Sequence, residues 1–538
     1  MRALPEGDAL SRVRAYHQRS KHSFQAYAKG PGQMDWATQP DPFRRYAGAP
    51  VLELPLPASG LAANYVDLFI PGAIPAQPVT EDSIGALLEL SFGLSAWKGH
   101  GDDRWALRCN PSSGNLHPTE AYVVAGRSAG IEPGVHHYVS HDHALELRCR
   151  AGLPFAGLLV GLSSIHWLEA WKYGERAFRY CQHDVGHALA ALRYAAVMLG
   201  WSVSLLADWG DADIAALLGL DREQDRGNAE AEAPDLLCRL HTGENDVLQD
   251  IDSLAAAARQ GDWQGSANRL SRRHLHAWTV IDEVHEAAVK PRTATAPRGV
   301  LETAELLPTA CELTAPELIK QRRSAQAFDG KTAITAKTFF RMLDATLPRP
   351  GLPPFDAWPW PPRVHLLLFL HRVSGLPPGL YLLCRSEAAV EQLREAKKPE
   401  YSFNPAENCP EHLRLFHVLR ADTRQAARAL SCHQDIASHG AFSLGMLAEF
   451  DAVLEEDGAW AYRRLFWETG MIGQALYLEA EAAGVRGTGI GCFFDDPVHE
   501  VLGLEGTAFQ SLYHFTVGGP IVDDRLESWP PYAHLTGR

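Results

Sequence analysis

Apolar residues recur at helix and strand spacings along the chain, and the same succession of patterns occurs twice. Helical spacing predicts helices over Asp82–Ser95, Trp167–Tyr180, Val185–Gly200 and, in the second half, Thr469–Gly484. Short apolar runs predict strands at Ala121–Ala125, Val135–Val139, Val203–Ala207, Leu236–His241 and Leu512–Val517. Helices interleaved with hairpin strands are typical of an α+β fold.

A repeat without gaps relates the two halves. Asp184–Leu220 aligns with Glu468–Leu504, 284 positions later, and the glycine pairs Gly186/Gly470 and Gly200/Gly484 coincide. A solenoid repeats at about 20–50 residues, so this distance indicates a duplicated domain instead. We therefore predict one domain over residues 1–295 and a second over 296–538.

Composition and charge narrow the class of protein. The 538 residues are 46% hydrophobic and 21% charged, as in an ordinary globular protein, and the net charge is −15. That charge disfavours nucleic acid and anionic membranes as partners. The nine cysteines include no CxxC pair, and the longest apolar run, Val364–Leu370, is too short to span a bilayer. We predict a cytoplasmic protein.

Three segments offer groups for a flat, anionic ligand. A turn rich in small polar residues contains Pro111, Ser112, Ser113 and Asn115, and its glycine would let a ligand come close. Arg322, Arg323 and Ser324 combine two guanidiniums with a hydroxyl, which suits a phosphate. An ordinary capped turn and a solvated helix end are the alternatives.

The third segment is the glycine-rich stretch Gly484–Gly491. It fails as a dinucleotide fingerprint because Cys492 stands at the third glycine position, and because Asp495 and Asp496 open the next helix and would repel a pyrophosphate. We interpret Gly489, Ile490 and Gly491 as a strand that backs a flat ring.

A candidate base lies in the charged helix. Helical spacing stacks Lys172 over Arg176, and a like charge would lower the lysine pKa towards that of a usable base. The alternative is a solvated face on which Glu169–Lys172 and Glu175–Arg179 pair. His136, His137, His141 and His143 are not predicted to bind metal, because the two adjacent histidines face opposite sides of a strand.

Taken in order, these segments resemble the flavin-dependent nitroreductase superfamily, and within it the SagB/ThcOx-type dehydrogenases in a fused, two-domain form. The resemblance rests on PSSGNLHPTEAYVV, WKYGERAFRYCQHDVGHAL, RRSAQAFDGK and GTGIGCFFDDPVHEVLGL. It implies two nitroreductase-like domains that form a pseudo-dimer within one chain, with FMN between them. Whether such chains also assemble into higher oligomers is left open by the resemblance.

The resemblance also assigns roles to residues. Arg322, Arg323, Ser324 and Arg525 would hold the FMN phosphate, Gly489–Gly491 would back the ring, and the Pro111–Asn115 loop would close on it. Lys172 and Tyr173 would be the general base and proton relay.

The implied activity is hydride transfer from a small or peptidic substrate, an azoline among the candidates, to flavin N5. The alternatives are a reductase of nitro compounds or quinones that uses NAD(P)H as co-substrate, and a catalytically silent flavin-binding partner protein. The halves differ, because Ser204–Ala207 replaces the glycine strand in the first and Pro350–Pro362 replaces the Pro-Ser-Ser loop in the second. One competent FMN site and one degenerate site are therefore expected.

Overall fold

The structure, a computed structural model, describes residues 5–127, 129–243, 250–294 and 302–535. Its α-helices within those ranges are α1 (Glu6–Arg19), α2 (Glu81–Ser91), α3 (His166–Tyr173), α4 (Ala177–Val197), α5 (Asp211–Leu218), α6 (Glu223–Arg226), α7 (Ile251–Gln260), α8 (Thr279–Ala287), α9 (Ala315–Gln321), α10 (Ala336–Asp344), α11 (Ala388–Ala396), α12 (Arg424–Leu430), α13 (Ile436–His439), α14 (Phe450–Asp457), α15 (Ala461–Ala482) and α16 (Asp495–Leu502).

The first half of the described chain contributes β1 (Tyr46–Ala47), β2 (Val51–Glu53), β3 (Leu94–His100), β4 (Asp103–Arg108), β5 (Thr119–Ala125), β6 (Gly134–Val139), β7 (Ala144–Arg150), β8 (Leu158–Ser164), β9 (Ser202–Leu205), β10 (Ala233–His241), β11 (Asp262–Trp263) and β12 (Ser266–Ala267). The second half contributes β13 (Ile334–Thr335), β14 (Val364–Leu370), β15 (Val373–Ser374), β16 (Gly379–Leu383), β17 (Asn404–Pro405), β18 (Leu415–Arg420), β19 (Phe442–Glu449), β20 (Arg486–Ile490), β21 (Phe509–Gly518) and β22 (Glu527–Trp529).

Each half builds one large antiparallel sheet, and the two sheets share an order. The first runs β11-β7-β6-β5-β8-β10-β9 and the second β17-β18-β16-β14-β19-β21-β20. Within them, β6-β5-β8-β10-β9 corresponds strand for strand to β16-β14-β19-β21-β20. The mixed helix and sheet content agrees with the fold class expected from the sequence, and the repeat is visible in the topology.

The long helices α4 and α15 lie side by side at the centre of the molecule. Gln182 contacts Trp467, and His187 contacts Gln474, so equivalent turns meet and the helices run in the same direction. They touch at Gly186 and Gly470, where a Cβ on Gly470 would lie 2.2 Å from the carbonyl oxygen of His183. Glycine is needed there because the backbones pack directly against each other.

Two buried ion pairs join the halves in equivalent positions. Arg179 of α4 donates to Asp495 at 2.6 Å, and Arg463 of α15 pairs with Asp211. One hydrophobic core extends from the first half into the second. The halves therefore pack as one body.

The last strand crosses to the other half. β22 pairs with β3 in a three-stranded sheet, β22-β3-β4, which brings residues 520–526 over the first half. No helix within the described residues combines the length and the apolar character that a membrane crossing requires.

Two helices differ from the bounds that the sequence predicted. The helix expected over Trp167–Tyr180 is broken at Gly174, whose φ is +56° and whose missing Cβ makes room for the carbonyl oxygen of Lys29. The helix expected over Asp82–Ser95 ends at Ser91, and β3 starts at Leu94. The expected domain boundary at 295/296 lies outside the described residues.

Candidate active site

A cavity of about 480 Å³ lies between the two halves. The loop after β4, the end of α3 and α4 line it from the first half, and the segment after α9, α15, β20, β21 and the crossing tail line it from the second. This volume is in the range of cofactor sites. Eleven of the predicted site residues line it: Pro111, Ser112, Ser113, Asn115, Tyr173, Arg322, Arg323, Ser324, Gly489, Ile490 and Gly491.

The polar loop is held by hydrogen bonds within itself and to α4 and β4. The Ser113 backbone N–H donates to the Asp184 carboxylate at 3.1 Å, and the His117 N–H donates to the Ser112 hydroxyl at 2.8 Å. Asn115, with a φ of +60°, donates its side-chain amide to the Ala106 carbonyl oxygen. Ser112 and Ser113 therefore face the cavity on a preformed turn.

One end of the cavity is strongly cationic. Lys98, Arg322, Arg323 and Arg486 line it together, and Glu481 is an acidic neighbour that pairs with Arg486 at 3.4 Å. Burial, and then the nearby Arg323 and Arg486, lower the pKa of Lys98. Crowded like charges favour an anionic ligand, because its negative charge would offset their repulsion.

Arg322 offers unused donors at this end. Its side chain is buried, and its Nη2 donates to the Arg108 carbonyl oxygen at 3.2 Å, while Nε and Nη1 have no hydrogen-bond partner. Arg323 instead donates to the carbonyl oxygens of Lys320 and Ser95. Buried donors without partners are costly, so Arg322 is the guanidinium best placed for an anionic group.

A hydrogen-bonded chain links the cationic end to the glycine strand. The Ser324 and Tyr477 hydroxyls lie 2.8 Å apart, and the Gly489 N–H donates to the Tyr477 hydroxyl at 2.9 Å. β20 is an edge strand, and its residues Thr488–Ile490 line the cavity together with Gly491. A Cβ on Gly489 would lie 1.9 Å from the Tyr513 hydroxyl and one on Gly491 2.3 Å from the Tyr180 ring, so these glycines also make room for tyrosines.

Tyr173 lines the cavity, whereas Lys172 lies behind it. A Cβ on Gly114 would lie 2.4 Å from the Tyr173 hydroxyl, which places that hydroxyl against the polar loop. The Lys172 ammonium is 5.4 Å from the Tyr173 ring centre. Lys172 therefore does not line the cavity but lies against the ring of a residue that does.

The expected cause of the lysine's lowered pKa is wrong. Arg176 lies beyond the break at Gly174, is buried, and pairs with Asp495 at 2.9 Å. Burial lowers the pKa of Lys172, and the charge of Glu169 opposes that effect. The solvated face that was the alternative is also wrong, because Glu169 is fully buried and Glu175 pairs with Arg19.

Two buried carboxyl groups lie beneath the polar loop, and the sequence did not point to them. Burial raises the pKa of Asp184 to about 7, against hydrogen bonds from Ser112 and Ser113. Burial and the charge of Asp184 raise the pKa of Glu169 well above its usual range. A signal was present in the repeat, since Asp184 aligns with Glu468, which accepts from the Arg363 N–H.

Arg525 does not join the cationic end. Its side chain is 78% exposed and makes a two-pronged contact with Asp523, at 2.8 and 2.9 Å. No local pattern predicts Lys98 and Arg486 at this end of the cavity, because each lies far along the chain from Arg322.

The four histidines considered as metal ligands do not share one site. The His136 ring bonds the Glu132 carbonyl oxygen, and His137 lies between the buried Glu120 and Glu146. Near the surface, ligand atoms of His141, Asp142 and His534 lie within 4.8 Å of one another, but Asp142 also pairs with Arg45.

Comparison with known proteins defines the class of the fold. Residues 319–519 match the model of the nitroreductase family. The match lies in the second half of the chain, and this similarity supports an oxidoreductase of that superfamily.

Two individual proteins are similar. Over 146 residues the chain is 28% identical to a putative nitroreductase of Methanocaldococcus jannaschii, a stretch that covers 24% of this chain and 73% of that protein. A putative nitroreductase from Anabaena variabilis superposes with a TM-score of 0.69 at 21% identity, over 95% of this chain and 99% of that one. The latter shows that nearly the whole chain shares the fold of one solved protein.

Proposed function

We propose that the protein is an FMN-dependent oxidoreductase of the SagB/ThcOx type, with two tandem nitroreductase-like domains that form a pseudo-dimer within one chain. The observation that carries this proposal is the composite cavity, to which both halves contribute. Its cationic end, its edge strand and its polar loop are the three parts that an FMN site of this superfamily would need.

The residues present fit the phosphate of FMN. Arg322 has two buried nitrogens without partners, and Lys98, Arg323 and Arg486 add positive charge around it. Ser324 adds a hydroxyl beside them. A guanidinium binds phosphate oxygens through charge-assisted bonds, which are stronger than neutral ones.

The remainder of the cavity fits a flat ring. Gly489–Gly491 would lie along one side of it, and Pro111, Ser112 and Ser113 would close from the other half. Bound FMN would supply a hydride acceptor at flavin N5. The protein would then have to orient the substrate, exclude water and take up the substrate proton.

Tyr173 and Lys172 are the groups we assign to that proton. The Tyr173 hydroxyl lies at the cavity wall and would receive the proton of a small or peptidic substrate, with azolines among the candidates. Lys172 lies behind it, and burial lowers its pKa, which increases the share of neutral amine at a given pH. Lys172 is thus the base and Tyr173 the relay.

The equivalent position in the other half is occupied by protein side chains. Arg193, which the repeat aligns with Tyr477, forms a two-pronged ion pair with Asp356 at 2.8 Å. Asp356 lies in the segment that replaces the polar loop, and Phe355 and Trp358 beside it are buried. This favours a single FMN site in each chain.

The test compares Arg322→Ala with Arg525→Ala. Removal of Arg322 takes away charged hydrogen bonds of about 1.5–3 kcal/mol, so FMN should bind roughly 10–100-fold more weakly. Arg525→Ala is the control and should bind like the unaltered protein. Fluorescence titration of the FMN-free chain measures both, and equal affinities for the two variants would contradict the proposed phosphate site.

The same preparation separates the alternative activities. Flavin bleaching by NAD(P)H without oxygen would support a reductase of nitro compounds or quinones. Oxidation of an azoline peptide, with the flavin reduced in the same mixture, supports the dehydrogenase. A chain that binds FMN but does neither would be a silent partner protein.

A further inference from the structure

Two cysteine thiols lie side by side at the cavity wall, and the proton and hydride steps proposed above use neither. The sulfur atoms of Cys432 and Cys492 are 2.7 Å apart, near the roughly 2.05 Å of a disulfide bond. Cys492 follows β20 and lines the cavity, whereas Cys432 lies outside the lining. Both side chains are half-buried, so solvent molecules can reach the pair.

The turn that carries Cys432 is held in an unusual conformation. Cys432 and His433 adopt φ values of +51° and +60°, a region that residues other than glycine rarely occupy. The Gln434 amide donates to the carbonyl oxygens of Ser431 and Cys492 and so fastens this turn to the glycine strand. Such backbone conformations cluster at functional sites.

Cys432, His22 and Arg176 are neighbours of the Cys492 thiol. The hydrogen bond with Cys432 lowers the pKa of Cys492 to about 5, and His22 and Arg176 act in the same direction against burial. The hydrogen bond with Cys492 and burial raise the pKa of Cys432. A thiolate next to a thiol is the arrangement from which thiol–disulfide exchange proceeds.

We propose that Cys432 and Cys492 form a reversible disulfide that exchanges two electrons with the flavin, so that dithiols can act as electron donors to this protein. Of the proposed function, this inference needs only that the chain binds a flavin. Closing the pair, from the thiolate of Cys492 and the thiol of Cys432, breaks one S–H bond and forms one S–S bond. The two electrons and the one proton released would pass to oxidised flavin where it is bound.

An external dithiol would reopen the pair. Its thiolate attacks the disulfide, and a second attack by the same donor releases a cyclic disulfide and restores both protein thiols. The net reaction transfers two electrons from the donor to the flavin. Cys492 borders the cavity, so it is the sulfur that would lie nearer to bound FMN.

The first test maps the thiols of the full chain with and without FMN. The protein is oxidised with diamide, unfolded in N-ethylmaleimide and digested, and the peptides are identified by mass spectrometry. We expect a peptide that joins Cys432 to Cys492, and its loss after reduction. Full labelling of both cysteines after diamide would overturn the proposal.

The second test measures flavin reduction by dithiothreitol without oxygen. Cys432→Ser is the informative variant, because Cys432 does not line the cavity and its loss should leave FMN bound. We expect it to reduce its flavin at least tenfold more slowly than the unaltered chain. Cys409→Ser, which alters another half-buried cysteine, should match the unaltered chain.

Failure of the proposed function and failure of the proposed disulfide give different results. If the chain binds no FMN, the proposed function fails, and diamide mapping of the same chain still decides whether the disulfide forms. If the linked peptide appears but Cys432→Ser and the unaltered chain reduce flavin at equal rates, the electron exchange with flavin is overturned.

Discussion

At the scale of single residues, the buried carboxyl of Asp184 should make stability depend on pH. Its pKa is raised to about 7 by burial, from about 3.9 in an unfolded chain. The neutral form is therefore favoured in the folded protein, and stability should fall as pH rises from about 4 to about 7. From this one carboxyl group, the free energy of unfolding can fall by at most about 1.4 kcal/mol for each pH unit.

Asp184→Asn isolates this effect, because the amide oxygen can still accept from the Ser113 N–H. We expect the variant to gain stability relative to the unaltered chain as pH rises through that range, and the difference to level off above it. Urea unfolding at a series of pH values measures the difference. A constant difference from pH 4 to pH 8 would refute the assignment.

Lys172 tests the division between binding and chemistry at the same scale. Its side chain does not line the cavity, so Lys172→Ala should keep FMN while substrate oxidation falls by about 100-fold or more. Because the neutral amine is the active form, turnover of the unaltered enzyme should rise with pH and level off below the usual lysine pKa near 10.4. Loss of bound FMN in the variant would make Lys172 a structural residue.

The individual residues show what spacing along a sequence can and cannot predict. Arg322, Arg323 and Ser324 are contiguous, so their shared end of the cavity was predictable. Lys98 on β3 and Arg486 on β20 reach the same place only because the fold brings these two distant segments to one cavity. Arg525 has the right charge, but its neighbour Asp523 engages it at the surface.

At the scale of elements, periodicity predicted the long helices but not the break at Gly174. The apolar pattern continues through that glycine, and the cause of the break is the carbonyl oxygen of Lys29, 145 residues away. The same break separates Lys172 from Arg176 and so removed the basis for the expected charge pair. Long-range contacts of this kind leave no local pattern.

The contact between the two central helices predicts that two Gly→Ala substitutions change stability in opposite directions. Gly→Ala in a helix normally stabilises by about 0.5–1 kcal/mol. Gly7→Ala in α1 should do so, because nothing lies within 4 Å of the new Cβ. Gly470→Ala should destabilise by about 1–3 kcal/mol instead, because its Cβ would meet the His183 carbonyl oxygen and the helices would have to separate.

Thermal and urea unfolding of both variants check these signs. A stabilising effect at Gly470 would show that α4 and α15 are not in backbone contact. Since Gly470 does not line the cavity, FMN affinity is a useful second readout of whether the halves have moved apart.

At the scale of the whole molecule, the repeat in the sequence predicted a duplicated domain, and the structure has two sheets with a shared strand order beside the paired helices α4 and α15. The repeat also anticipated that the halves would differ. What it could not anticipate is the tail, because β22 pairs with β3 of the other half and residues 521–523 reach the cavity from there. Local patterns predict elements, whereas the partner of an edge strand is decided by the assembled fold.

The number of flavins per chain tests the whole arrangement. The composite cavity lies against Tyr477 and the polar loop, whereas the equivalent position in the other half holds the Arg193–Asp356 ion pair and buried Phe355 and Trp358. We therefore expect one tightly bound FMN for each 59.1 kDa chain. Flavin absorbance after denaturation, divided by chain concentration, gives the ratio. Two tightly bound FMN molecules per chain would mean that those side chains move aside. If the chain binds one FMN and Arg193→Ala abolishes that binding, the FMN lies at the other position and the proposed site is wrong.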